Sequence, residues 1–377
     1  MAKVHPRPSF NALVMTSLAA ASLGYALHAR AVPVPFPEAP LPGNASFSTF
    51  SNTVRALLIL ADTIYVGGNF RVTEGSLTRT NLAAFDLNGN LKAEFLAEPN
   101  DTVLALATDG KSLFVGGAFT RLELSERLAA VDLTTGAVVR PFNAHVDGQL
   151  DPETPCSVRA LTIVRDDSVT PPSTRLIVGG NFTRVDSVLD NRAGLAALLP
   201  ESGDLDSERF TDGVSGGYVD ALLATATTLY AGGTFTSVQS RTYNLASFDL
   251  NGTLRTPYST GGQQVLDLDI DPVSNRLFAA VGGTSNRAMA FDANARTRGS
   301  ALWQGPRTGG NVQGIHFYAG NVYIGFHDGL FAEPDPYKLA ALDAATGALE
   351  VDTEHAGLPC ENTETRLENC WLPTLDN

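Results

Sequence analysis

The sequence predicts an all-β protein, a six-bladed β-propeller of four-stranded antiparallel blades with its ring closed by an N-terminal strand. Three observations predict it. A short apolar strand ending in two glycines and an aromatic recurs as "IYVGGNF" (Ile64–Phe70), "LFVGGAF" (Leu113–Phe119), "LIVGGNF" (Leu176–Phe182) and "LYAGGTF" (Leu229–Phe235). Units equivalent to the one opening at Val54 begin at Val103, Val158, Val219, Val265 and Val312, 46 to 61 residues apart; such a period marks radial sheet arrays. Each unit holds four short apolar runs separated by turn residues. A lone sheet of that kind cannot cover both its faces, so its neighbours must.

In the first unit "VRALLIL" is the first strand, "TIYVGGNF" the second, "NLAAFDL" the third and "LKAEF" the fourth. The first strand alternates: Ala56, Ala105, Ala160 and Ala221 share one face, and Leu57, Leu106, Leu161 and Leu222 the other. That period of two gives a blade one thin face and one thick face. The glycines end the second strand, where either a neighbouring backbone comes too close for a side chain or φ is positive. Glycine pairs also cradle phosphates, but that use needs a following helix, and none is predicted. Phe70, Phe119, Phe182 and Phe235 then fill the space between blades.

Asn88-Gly89 and Asn251-Gly252 form the hairpin turn between third and fourth strands. Asp86, Asp132, Asp249, Asp292 and Asp343 close the third strand, and Arg79, Arg127, Arg192, Arg241, Arg287 and Lys338 precede it. These charges are expected to order loops within or between blades, with each Asp capping its turn. Leu199 interrupts the acidic set in the third unit, so a binding ring built on it would be incomplete.

The ends of the chain read differently. Lys3 and Arg7, the apolar run Ala12–Leu27 and Ala29-Arg30-Ala31 read as a signal peptide over residues 1–31, with a retained anchor as the alternative. Residues 32–44 are a proline-rich lead, 45–353 the propeller, and 354–377 a tail carrying Cys360 and Cys370. An exported chain meets oxidising conditions, so those two are expected to bridge, leaving Cys156 odd. No other run is long enough to span a membrane, so the mature chain is not expected to insert. With 40 Asp+Glu against 26 Lys+Arg, the surface repels nucleic acid and anionic lipid. In "ASFSTF" (Ala45–Phe50), Phe47 precedes Val54 as Tyr258 precedes Val265, so this segment reads as the fourth strand of the last blade. "ALEVD" (Ala348–Asp352) competes for the same place.

The pattern "LYVGGxFT … R … LAALD … TG" resembles the delta-60 repeat, a bacterial β-propeller family of exported proteins. "GLAALLPESG" (Gly194–Gly203) and "KLAALDAATGALEV" (Lys338–Val351) carry its third strand and turn. The resemblance covers about Ala45 to Thr353. Units five and six depart from it: "AAVGGTSN" moves the glycines and "YIGFHDG" has lost one. It implies a propeller fold and export, and brings no catalytic motif. "LAALDAATGALE" is also similar to repeats of pyrroloquinoline-quinone dehydrogenases. Their docking tryptophans are replaced here by Phe95, Phe142, Phe210 and Tyr258, leaving only Trp303.

No H-E-x-x-H, G-x-S-x-G or EF-hand pattern occurs, so no catalytic residue, metal or cofactor is assigned. One anomaly carries chemistry. Where four units hold alanine, the fifth holds Asp267, followed by Asp269, and the sixth holds Gly314, followed by His316. Carboxylates on such a face need water, a cation or a basic partner. His316 and His327 share a face of adjacent strands if the turn at Gly320-Asn321 is even-numbered. Asp267, Asp269, His316 and His327 are therefore the expected ligand-binding set. Equivalent faces of successive blades point the same way around a ring, which puts Asp267 and His316 at different interfaces unless they sit at its rim. The sequence thus reads as an exported, monomeric scaffold that binds a protein, glycan or envelope component. It would do so through loops such as Asp147–Pro155, Arg165–Arg175 and His327–Tyr337. The alternative is a saccharide hydrolase or lyase with Asp267 and Asp269 as acid/base pair.

Overall fold

The computed structural model describes residues 51–170, 172–186, 192–206, 213–239, 243–295, 297–326 and 339–349. The signal peptide, the proline-rich lead, Ala45–Phe50, Phe210, Arg241, His327, Lys338, most of "ALEVD" and the Cys360–Cys370 pair lie outside the described residues. Every described element is β, and no helix occurs among them. Two compact units are present, Met1–Thr242 with Ala246–Arg255, and Tyr243–Leu245 with Thr256–Asn377.

The first unit begins with β1 (Ser51–Leu60), β2 (Thr63–Glu74) and β3 (Leu77–Asp86), an antiparallel meander in that order. β4 (Val103–Thr108), β5 (Ser112–Gly117) and β6 (Leu128–Asp132) repeat it. β7 (Val146–Asp147) pairs with β10 (Arg184–Val185) as a small ribbon beside the third sheet. That sheet is β8 (Ser157–Asp166), β9 (Ser173–Asn181) and β11 (Leu195–Leu198), with β9 central. A second ribbon joins β12 (Val214–Ser215) to β15 (Ser237–Val238). The fourth sheet runs β13 (Val219–Ala224), β14 (Leu229–Gly233), β16 (Leu245–Phe248), β17 (Leu254–Tyr258), and the unit boundary falls within β16 and β17.

In the second unit β18 (Val265–Asp271), β19 (Arg276–Val281), β20 (Arg287–Asp292) and β21 (Ala301–Gln304) form a four-stranded sheet. β22 (Val312–Tyr318), β23 (Asn321–Phe326) and β24 (Leu339–Asp343) form the last. The Trp303 indole donates to Ala344 O at 3.0 Å and Arg276 to the same oxygen at 2.9 Å, tying these two sheets together.

The repeated glycines divide their work. In all six first strands one extra residue stands between the opening valine and the next paired position: Arg55, Leu104, Arg159, Asp220, Leu266 and Gln313. This is a β-bulge. A Cβ on the second glycine would strike the carbonyl before that valine, at 2.2 Å for Gly68, Gly117 and Gly180 and 2.1 Å for Gly233. A Cβ on the first glycine would strike the next unit's valine instead: Val103 from Gly67, Val158 from Gly116 and Val219 from Gly179, at 2.5 to 2.6 Å. Of the two expectations, close approach holds. None of these glycines has positive φ.

The aromatics behave as expected. Phe70, Phe119, Phe182 and Phe235 are buried, and Phe119, Phe182 and Phe235 each sit in a core shared by two successive sheets. The fourth strand departs from expectation. Among the described residues it is a strand in the fourth and fifth sheets. In the first, second, third and sixth the described residues hold single bridges, Phe85–Leu91, Val131–Val138, Leu198–Leu205 and Leu342–Leu349. In the first sheet the cause is visible. Buried Arg79 donates to the carbonyls of Ala93 (2.7 Å) and Phe95 (2.5 Å), taking acceptors that backbone pairing would otherwise use. Arg127 reaches Val146 O at 3.1 Å in the second. These arginines therefore hold backbone and do not pair with the turn aspartates. Asp86 accepts from Asn88 and Asn90 N–H, Asp132 from Thr134 and Thr135, and Asp249 from Asn251 and Thr253. The turn caps are as predicted; among these residues no ring of opposed charges forms.

Candidate functional site

Three of the four predicted site residues come together in the second unit. β18 and β22 are the edge strands of their sheets and pack against one another. An edge strand leaves alternate N–H groups without a ladder partner. Here Asp267 Oδ2 accepts Ile315 N–H at 3.0 Å, and Asp269 Oδ2 accepts Phe317 N–H at 2.8 Å. Two carboxylates two residues apart thus match two amides two residues apart. His316 Nδ1 lies 2.7 Å from Asp269 Oδ2. The expectation that Asp267 and His316 face different interfaces is therefore corrected. Both carboxylates accept N–H groups of β22, and the imidazole of the intervening His316 meets Asp269. His327 lies outside the described residues.

The arrangement has defined chemical limits. His316 Nε2 is buried and has no hydrogen-bond partner, so in this conformation it does not reach an outside substrate. Among the described residues no group of three or more His, Cys, Asp or Glu can hold a metal ion. Phe278 stacks on Phe317 with centroids 5.6 Å apart, closing one side of the junction. At the corresponding positions the first four units hold Ala56 and Leu58, Ala105 and Ala107, Ala160 and Thr162, and Ala221 and Leu223.

Asp267 keeps part of its surface exposed, yet burial of its carboxyl group pushes its pKa up to about 7. The N–H groups of Ile315 and Leu268 pull the other way, Asp269 adds to the rise, and His316 opposes it. A folded state that holds a proton the unfolded chain has already lost is most favoured at low pH, and that advantage disappears as pH rises. The melting temperature should therefore fall between about pH 4 and pH 7 in the parent chain, and less steeply in Asp267→Asn. Identical slopes in thermal melts across that window would contradict the assignment. Asp86, Asp132 and Asp343, whose pKa values are lowered by turn hydrogen bonds or, for Asp86, despite opposing burial, act below that window.

Two further groupings escaped the sequence. Arg159 and Asp220, bulge residues of β8 and β13, pair at 2.6 Å, and the Arg159 guanidinium lies over the Tyr218 ring, 4.8 Å from its centroid. Opposite charges at one repeat position in consecutive units were the available signal. The fastening of the Asp147–Pro155 loop, a loop itself expected from the sequence, is the second. Asn181, fully buried, accepts from Leu150 and Asp151 N–H and donates to Asp151 O and Thr154 O. The loop is thereby fastened to the third sheet, with Gln149, Pro152, Glu153 and Pro155 exposed. Cys156, just beyond it, is a half-buried free thiol, and burial raises its pKa to about 11.

No protein-family model and no curated protein matches the chain. Among solved structures, a chain in the crystal structure of a mitotic checkpoint complex is similar over 74% of this chain and 75% of its own length. The TM-score is 0.50 and the identity 14%. At that identity the likeness bears on the all-β fold alone. A crystal structure of the computationally designed Ika8 protein overlaps 79% of this chain and 86% of its own, at 13% identity. Its TM-score of 0.46 is too low to carry weight. No helix among the described residues is long and apolar enough to cross a membrane.

Proposed function

We propose that the chain is an exported six-bladed β-propeller that binds a protein, glycan or envelope component through loops at one end of its sheets. The observation that carries this is the Asp147–Pro155 loop. It is additional to the repeat, yet one buried asparagine fixes its backbone, so its exposed side chains are presented without a large ordering cost on binding. The repeated side chains Arg79, Asp86, Asp132 and Asp249 are occupied by backbone groups. In this reading the scaffold recurs and the loops differ.

Ring closure by Ala45–Phe50 belongs to the same proposal. Val103, Val158, Val219, Val265 and Val312 are fully buried, whereas Val54 is 37% exposed. Its counterparts Val103, Val158 and Val219 are met by the preceding unit's first glycine and not by a fourth strand, so what supports Ala45–Phe50 is the position of Phe47, which matches that of Tyr258. Deleting Ala45–Phe50 should lower the melting temperature by several degrees, since about 1 kcal/mol shifts a domain of this size by roughly 2–4 °C. An unchanged melt would remove the closing strand from the proposal.

The binding reading is tested with an immobilised glycan and envelope-protein array run beside a glycan hydrolysis panel. Saturable retention without turnover supports the scaffold. Turnover that is lost in Asp267→Asn would favour the saccharide hydrolase or lyase instead.

A further inference from the structure

We propose that Arg159, gripped by Asp220 and stacked on Tyr218, is a receptor for a carboxylate group on a bound ligand. This rests on the scaffold reading above and names the chemistry its ligand would carry.

The residue is unusually well oriented. As a bulge residue of β8, Arg159 stands outside the alternation that buries its neighbours. Asp220, whose side chain is 4% exposed, holds Nε from one edge, and the Tyr218 ring covers one face. Tyr218 is itself fixed. Its N–H donates to Thr234 Oγ1 at 3.0 Å, and the preceding Gly216 and Gly217 turn the chain at φ +68° and +141°. A Cβ on Gly217 would meet the Thr234 carbonyl at 2.6 Å, so only glycine allows this approach.

With one edge and one face covered, the free part of the guanidinium is its terminal fork. Among the described residues Arg159 donates one hydrogen bond, through Nε. Its side chain remains 25% exposed. A planar fork with two parallel N–H groups matches the two oxygens of a carboxylate. Asp220 sets the choice between anions. Its charge beside the fork, in a chain of net charge −14, opposes a dianion more than a monoanion. A carboxylate therefore fits better than phosphate or sulfate. A pair that only fastened two sheets together would bind nothing.

The full chain at pH 7 and low salt is titrated with glucuronate, with a capped aspartyl peptide, with glucose and with inorganic phosphate, followed by ligand-observed NMR. Saturable binding of either carboxylate, none of glucose and weaker binding of phosphate are expected. The tighter of the two carboxylates tells whether a saccharide or a peptide bears it. Arg159→Lys, which keeps the charge and loses the fork, should weaken binding about tenfold or more, and Tyr218→Leu should also weaken it. Thermal melts confirm that both variants fold. No saturable carboxylate binding, or equal affinity in Arg159→Lys, overturns the proposal. Array retention that survives Arg159→Lys would sink this site and leave the scaffold standing, whereas no retention at all would sink the scaffold.

Discussion

Replacing Gly117 by alanine is expected to destabilise the protein by about 2–3 kcal/mol, far more than a surface glycine would. Its Cβ would lie 2.2 Å from Thr102 O and 3.1 Å from Val103 Cα, both backbone atoms of the bulge in β4. Backbone in a paired strand cannot swing aside as a side-chain tip can, so β4 and β5 must separate locally. Gly314→Ala is the control. Its Cβ would meet nothing nearer than Asp267 Oδ2 at 3.9 Å, its φ is not positive, and the first four units hold alanine at that position, so alanine there should be neutral or stabilising by about 0.5 kcal/mol. Urea unfolding of the two variants checks the contrast. If Gly117→Ala unfolded within about 0.5 kcal/mol of the parent, the bulge would not be the reason for the second glycine.

Arg79→Ala should cost as much or more. Arg79 is 5% exposed and donates to three carbonyls, Thr78, Ala93 and Phe95, at 2.5 to 2.8 Å. A hydrogen bond from a charged donor contributes about 1.5–3 kcal/mol, and an acceptor left buried without one carries its own penalty. The three losses overlap because they share one side chain, so about 3–4 kcal/mol is expected, or a melting temperature lower by roughly 10 °C. Arg79→Lys should recover only part, since one ammonium cannot reach carbonyls spread along the segment from Ala93 to Phe95. A near-parental melt for Arg79→Ala would mean that water replaces the guanidinium without loss.

Much of this scaffold is legible in the chain because its signals are local. The alternation of Ala56 with Leu57, the paired glycines and the Asp86 and Asp132 turn caps each depend on residues close in sequence. The bulge was not legible. It adds one residue without changing composition, and the strand still reads as an unbroken apolar run. Arg79 reads in the sequence as a loop-ordering charge without a named partner. Only the three-dimensional position of the Phe95 and Ala93 carbonyls shows what it holds. The same limit applied to Asp267 and Asp269, which the sequence marked as anomalous without giving them Ile315 and Phe317 as partners. Arg159 and Asp220 are 61 residues apart, and only their shared place in the repeat, one residue after the opening valine, links them in the sequence.

The division of labour between the two glycines has a consequence for how such a chain can grow or be rebuilt. The second glycine answers to its own first strand, so a unit copied whole carries that requirement with it. The first answers to a valine in the following unit, as Gly116 does to Val158. A cut made at the start of a unit separates that glycine from the residue that needs it. A cut placed just before a glycine pair keeps Gly116 with Val158 but parts the next second glycine, Gly180, from the Ser157 carbonyl it faces. The two requirements overlap along the chain, so an engineered array has to match a contact at every splice: one within the blade if joined before the glycines, one between blades if joined at the valines.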